Sequence, residues 1–275
     1  MPATSRPAIL VSGSAAGIGR ATVERFAAAG WLVGVYDVDV PGVERAVAEL
    51  EDVHGAGAAV GGALDVTDVE QWHRALAEFA EVSGGRLDLL VNNAGILRAG
   101  RFADVPLAAH HLTIEINVGG VVNGCHAAYP YLKATPGAQV INLCSASAIY
   151  GQPEIASYSA SKFAVRGLTE ALELEWRKEG IRVQAVWPLW VNTALLEGND
   201  TTSASTMGVR LTVEDVAEQI FDIAKPPSLV GRALGRVAPA RVHTAVGLPA
   251  KALALTADLV PSFLSREVNK RINHS

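Results

Sequence analysis

Apolar positions along the chain fall into two alternating kinds of run. Short, β-rich runs cover 8–12, 31–36, 58–64, 87–91, 139–143 and 181–187. They are apolar almost without a break, as strands covered on both faces must be. Between them lie longer stretches with helical spacing. One covers 18–29 and meets Gly30, a residue suited to the left-handed turn that closes a helix. A second covers 43–54, where Val43, Val47 and Leu50 are spaced by four and three. A third covers 69–82, where Val69, Trp72, Leu76 and Phe79 recur by three, four and three. Strand, helix, strand repeated about six times predicts a parallel sheet with helices on both faces. The expected fold class is therefore α/β: a doubly wound parallel sheet in a three-layer αβα sandwich, built as a single domain.

Past residue 193 the pattern loosens. Residues 194–210 read as a loop, with Gly198, Asn199, Asp200 and a run rich in Thr and Ser. A helix restarts after Thr212, a suitable N-cap with Asp215 three residues on. The segment 246–272 is rich in Leu and Ala and ends basic, with Arg266, Lys270 and Arg271 against Glu267. Packing over a pocket or across a subunit interface is the first reading of its apolar part; contact with a membrane surface is the alternative. The expected division is a core over 7–193, a variable loop and helix over 194–228, and an extension over 229–275.

Composition narrows the function classes. The 275 residues are 49% hydrophobic and 19% charged, enough for a large core and against wholesale disorder. A net charge of −5 with no basic run argues against nucleic-acid binding. Two cysteines, Cys125 and Cys144, form no CxxC, so neither a disulfide framework nor a cysteine–zinc site is expected. A reducing, cytoplasmic setting fits. Met1–Pro7 shows no charged stretch followed by an apolar one, so no signal peptide is expected, and no apolar run approaches the ~20 residues of a transmembrane helix. None of the seven histidines has a ligand spacing, and His110 and His111 would point apart on a helix; no metal site is expected.

The candidate chemistry sits where strands end. The first strand runs into Ser12-Gly13-Ser14-Ala15-Ala16-Gly17-Ile18-Gly19-Arg20, which opens a helix. Glycines there admit a diphosphate to the backbone, and the helix start offers free N–H groups and a positive dipole end. A glycine-rich turn with no ligand is the alternative. Asp37 follows the second strand, where a carboxylate can accept bonds from both hydroxyls of an adenosine ribose and repel a 2′-phosphate. Asp39, two residues on, is its rival. Tyr158 and Lys162 are four apart on one face of a helix over 155–176. An ammonium beside the phenol is expected to lower its pKa and make it usable near neutral pH. Ser145 ends the strand over 139–143, with Ser147 as a rival. Trp187 reads as core, Trp190 as core or pocket wall, and Ile149, Tyr150 and Gln152 as pocket or loop packing.

Taken together, these segments resemble the short-chain dehydrogenase/reductase family over about residues 7–193. Ser12–Gly19 is similar to its Thr-Gly-x3-Gly-x-Gly, with Ser for Thr. Asp65-Val66, Asn92-Asn93-Ala94-Gly95, Asn117, Ser145, Tyr158 to Lys162, and Pro188 to Thr193 follow in the family's order. The resemblance implies a Rossmann-type fold and an NAD(H)-dependent oxidoreductase acting on a secondary alcohol or ketone, probed first as an alcohol oxidation. It implies that Asn117, Ser145, Tyr158 and Lys162 are catalytic. Tyr158 would pass the proton, Ser145 position the substrate oxygen, Lys162 hold the nicotinamide ribose, and Asn117 anchor a water. Gly13, Ala15, Ile18 and Gly19 would cradle the diphosphate. Asp37 would hold the ribose, Asp65 and Val66 flank the adenine, Asn92 and Gly95 line the channel, and Val191 and Thr193 clamp the carboxamide. The few charges near the 194–210 loop and the C-terminal segment point to an apolar, bulky or cyclic small-molecule substrate, and the resemblance implies a homodimer or homotetramer on the helices carrying Asn117 and Tyr158. Leu189 stands where the family has glycine, and residues 229–236 lack the family's usual Gly-rich, Asp-containing close. The alternatives are an NADPH-dependent carbonyl reductase of the same fold, or a nucleotide sensor without turnover, which would need no Tyr–Ser pair.

Overall fold

The computed structural model describes residues 6–193, 199, 201, 202, 211–225, 242–247, 250 and 251. Most of the expected loop over 194–210 and of the extension over 229–275, including its apolar tail, lies outside them. Seven strands pair in parallel throughout: β1 (Ala8–Ser12), β2 (Leu32–Asp37), β3 (Ala59–Ala63), β4 (Leu89–Asn92), β5 (Gln139–Leu143), β6 (Arg182–Pro188) and β7 (His243–Val246). Their order is β3-β2-β1-β4-β5-β6-β7. The chain winds outward one way from β1, then crosses back beside it at β4. Strands β1, β4 and β5 are wholly buried, which accounts for their unbroken apolar runs.

The helices are α1 (Gly17–Ala27), α2 (Val40–His54), α3 (Val69–Ser83), α4 (Leu107–Ile114), α5 (Gly120–Ala134), α6 (Ala156–Trp176) and α7 (Val213–Ala224). Their starts follow from local chemistry. Asp39 accepts from the N–H of Gly42, so α2 begins before its apolar stripe does. Asp68 caps α3 by accepting from Glu70 and Gln71, and Gly84 closes that helix at φ +68°. Thr212 and Asp215 exchange bonds of 3.2 and 3.0 Å in a capping box at α7.

Alternate strand positions feed two separate cores. On one face Ala8 and Leu10 meet Trp72, Leu76 and Phe79 of α3, Cys125 and Leu132 of α5, and Val165 of α6. On the other Ile9 and Val11 meet Val23 and Phe26 of α1, Val43 and Leu50 of α2, and Val216 and Ile220 of α7. The protein is thus a three-layer αβα sandwich. Phe26 is fully buried, with Trp31 and Phe221 edge-on at 5.0 and 5.1 Å. The short strand β7, absent from the sequence reading, is half-buried at His243 and Thr244 and takes its order from pairing with β6. Among the described residues no helix is long and apolar enough to cross a membrane. Phe26→Ala should lower the unfolding free energy by about 3–5 kcal/mol in urea titration; a loss under ~1 kcal/mol contradicts this account of the second core.

Candidate active site

The crevice opens where β1 and β4 part. The hydroxyl of Ser12 accepts from the N–H groups of Asn93 and Ala94 at 3.2 and 3.3 Å. Asn93 returns its side-chain amide to the carbonyls of Ser12 and Gly13 at 3.0 and 2.7 Å. Gly13 sits at φ +66°, and a Cβ on it would lie 2.7 Å from Ala94 Cα. Both the left-handed backbone and the contact demand glycine there. A Cβ on Gly19 would meet the Gly13 carbonyl at 2.2 Å, so Gly19 presses α1 onto its own loop. Gly17, at φ +59°, has nothing nearer its would-be Cβ than Thr193 at 3.9 Å. The loop therefore presents an open, backbone-lined concavity at a helix N-terminus.

A cavity of about 360 Å³ runs from that loop along the C-terminal ends of the strands. At one end it is lined by Asp37, Val38, Leu64, Asp65 and Val66. Gly13, Ile18 and Gly95 line its middle; Ser145, Tyr158, Lys162, Val191 and Thr193 line the other end. Asp37 accepts from Ala15 N–H at 3.0 Å and from Asp39 N–H at 3.2 Å, one bond to each oxygen. A carboxylate has about four acceptor sites, so capacity remains for two hydroxyls. Its rival Asp39 is occupied as the cap of α2. Asp65 holds its own turn, accepting from the N–H and hydroxyl of Thr67 at 2.9 and 2.8 Å.

The proton-bearing groups converge at the far end. Tyr158 comes from α6 with Lys162 one turn on, and Ser145 from the end of β5. Lys162 Nζ lies 5.4 Å from the Tyr158 ring centre and donates to the Leu143 carbonyl at 2.8 Å. Burial lowers the Lys162 pKa. Burial also raises the Tyr158 phenol, while its hydrogen bond with Ser145 pulls the other way. This corrects the expected direction: Lys162, turned onto Leu143, does not depress the phenol, and desolvation wins. Ser145 Oγ donates to Ser147 Oγ at 3.2 Å and accepts from Ser147 N–H at 3.1 Å. Beside Tyr158, Leu97, Ile155, Leu189 and Trp190 form an apolar wall.

Four predicted site residues are placed away from the cavity wall. Ala15 serves through its N–H to Asp37, and Gly19 lies beneath the loop. Asn92 faces the core, donating to Asn142 at 2.9 Å, which donates to Thr169 at 3.0 Å. Asn117 lies fully buried in a π-helical turn, Glu115–Gly119, between α4 and α5. Its side chain brackets the Ile96 peptide, accepting at 2.8 Å and donating at 2.9 Å, and also donates to Ser161 at 3.1 Å. It ties the loop after β4 to the helix carrying Tyr158 and Lys162. Leu97, Ile116 and Leu143 line the cavity without any signal in the sequence reading, since apolar wall residues look like core. Trp190 and Gln152, read as pocket or packing, both line it; Trp187 is core. Cys125 and Cys144 are free and buried, which pushes their thiols up to about 12 and about 11. Among the described residues no His, Cys, Asp and Glu group could hold a metal ion.

Residues 7–204 match a family model described as short chain dehydrogenase. The chain is 33% identical over 186 residues to 2,5-dichloro-2,5-cyclohexadiene-1,4-diol dehydrogenase from Sphingobium indicum, covering 68% of this chain and 73% of that one. It superposes on 3-ketoacyl-(acyl-carrier-protein) reductase from Brucella melitensis, crystallised with NADH, with TM-score 0.74 and 27% identity over 87% of this chain and 95% of that one. A short chain dehydrogenase from Burkholderia cenocepacia in complex with NADP shares the fold, at TM-score 0.75 and 23% identity over 95% and 97% of the chains.

Lys162, an amine buried with one carbonyl as its hydrogen-bond partner, costs stability. Lys162→Met should raise Tm by roughly 2–4 °C near pH 7. With its folded pKa below the ordinary 10.5, wild-type stability rises as pH climbs between the two values, because the unfolded chain then holds more protons. The gap between wild type and variant should therefore shrink toward pH 10. A variant less stable than wild type at pH 7 contradicts the reading.

Proposed function

The chain belongs to the short-chain dehydrogenase/reductase family and is an oxidoreductase of that family; we propose that it interconverts a secondary alcohol and a ketone with NAD(H). The observation that carries this reading is one crevice with Asp37 at one end and Ser145, Tyr158 and Lys162 at the other. The donor set fits a nicotinamide dinucleotide: an open glycine concavity at a helix start, a carboxylate with spare acceptor sites, and a buried ammonium. When bound, the nicotinamide accepts a hydride from the carbinol carbon or returns one.

The chain supplies orientation and the proton. Gly13, Ala15, Ile18 and Gly19 shape the diphosphate turn. Asp37 accepts from the adenosine ribose; Asp65 and Val66 border the adenine, and Val191 and Thr193 the carboxamide. Lys162 holds the nicotinamide ribose. Ser145 donates to the substrate oxygen and fixes its place. Tyr158 takes the hydroxyl proton in oxidation and gives it back in reduction, so alcohol and NAD⁺ become ketone, NADH and H⁺. Its raised pKa leaves it a proton donor at rest; a positive charge brought beside the phenol would favour the phenolate that oxidation needs. Asn117 acts by positioning, through Ile96 and Ser161.

Two further observations support NAD over NADP. Asp37 would repel a 2′-phosphate, and Arg20, the cation just past the glycine loop, is paired with Glu24 and Glu49 at 2.7 Å each. Leu189 and Trp190 narrow the pocket roof and support an apolar substrate. Exposed Val122 on α5 with Phe163 and Leu174 on α6 supports a homodimer or homotetramer on those helices. The free, buried cysteines support a cytoplasmic setting. Tyr158→Phe should bind NADH as wild type does and lose turnover by about 10²–10⁴-fold; turnover within about twofold of wild type sinks the proton-transfer assignment.

A further inference from the structure

One wall of the cavity carries more polar order than a lone alcohol needs. Beyond Ser145, Ser147 and Gln152 also line the cavity near the Tyr158 end, and both are almost wholly buried. Gln152 Nε2 donates to Ser147 Oγ at 3.0 Å. The Gln152 backbone is itself held by Ser159 on α6, its N–H donating to the hydroxyl at 3.1 Å. Ser147 Oγ lies 3.2 Å from Ser145 Oγ, and Ser147 N–H fills one acceptor site on Ser145. Leu97, Leu189 and Trp190 supply an apolar stretch of the same cavity lining.

Counting donors and acceptors decides what this wall can bind. Each hydroxyl has one proton and two acceptor sites. At rest Ser145 gives its proton to Ser147. In the reaction proposed above, Ser145 must give that proton to the substrate oxygen instead. The bond between the two serines then reverses, with Ser147 donating to Ser145. The Tyr158 phenol, which shares the Ser145 hydroxyl at rest, turns to the substrate oxygen, so Ser145 is saturated: it accepts twice from Ser147 and donates to substrate. Ser147 has spent its proton and holds one bond from Gln152. One acceptor site is left, beside the reacting oxygen and inside a buried wall, where a further hydrogen bond from a ligand adds affinity. A hydrogen-bond donor on the substrate satisfies it. The 3.2 Å between the two serine oxygens suits oxygens on adjacent carbons and not oxygens across a ring.

We propose that the substrate carries a second hydroxyl on the carbon next to the reacting one, a vicinal diol or α-hydroxy ketone on a hydrocarbon body, and that Ser147, held by Gln152, accepts from it. This rests on the oxidoreductase reading and adds the substrate class. The test compares 1,2-cyclohexanediol, 2-methoxycyclohexanol and cyclohexanol with NAD⁺, and the same trio on a decalin body. The methoxy ether keeps the second oxygen but cannot donate from it, and cyclohexanol lacks that oxygen. In the wild type kcat/KM for the diol should exceed both others by about tenfold, one buried hydrogen bond. Ser147→Ala should bring the ratio to within about twofold, and Ser147→Thr, which keeps the hydroxyl, should retain it. A methoxy ether as good as the diol overturns the proposal, as does a ratio that survives Ser147→Ala. Oxidation of none of the compounds by protein that binds NADH overturns the substrate class and leaves the oxidoreductase reading standing. Protein that binds no NADH fails both.

Discussion

The site depends on the knot that joins the ends of β1 and β4. A parallel sheet whose winding reverses beside its first strand must part there, because the connections leave toward opposite faces. The gap is useful only if its two lips are held at a fixed separation. Ser12, Gly13 and Asn93 do this with four hydrogen bonds and a backbone contact that no side chain could enter. Every cavity residue is referred to that frame. The glycine loop continues from one lip, Gly95 and Ile96 from the other. Asn117 then carries the position of Ile96 across to α6, and so to Tyr158 and Lys162.

The chemistry at the far end is set by desolvation. Two groups that water would charge or discharge freely sit in a packed wall, the phenol pushed up and the ammonium pushed down. Neither shift stabilises the fold; Lys162 works against it. A group kept at such a cost, with its Nζ committed to a single carbonyl, is positioned for a partner that enters the cavity. Ser145 is engaged in the same way, sharing its hydroxyl with both Tyr158 and Ser147. Tyr158, Ser145, Ser147 and Gln152 form a connected run of hydrogen bonds, while Lys162 stands beside it on the Leu143 carbonyl.

Much of this was legible in the chain. The unbroken apolar runs of β1, β4 and β5 announced a sheet covered on both faces, and the glycine spacing after Ser12 announced the loop. Asp37 was readable because it stands at the C-terminal end of an apolar strand run. Position alone misplaced the details. Asn92 and Asn93 are adjacent and identical in type, yet one faces the core and the other ties the loop, which is a question of strand pleat that composition does not carry. The sign of the Tyr158 shift was missed because a spacing of four residues predicts nearness to Lys162, not where its Nζ turns. Strand β7 escaped because its order comes from β6. Apolar wall residues such as Leu97 were invisible for the same reason that they are effective: they are indistinguishable from core until a cavity is beside them.

The central claim is that this crevice holds NAD(H), with Asp37 at the adenosine ribose. It is tested most directly by titrating the purified protein with NADH and with NADPH and following nucleotide fluorescence. Saturable NADH binding, at least about tenfold tighter than NADPH, is the result expected from one carboxylate facing a 2′-phosphate. NADPH binding as tight as NADH, or no binding of either, contradicts the account.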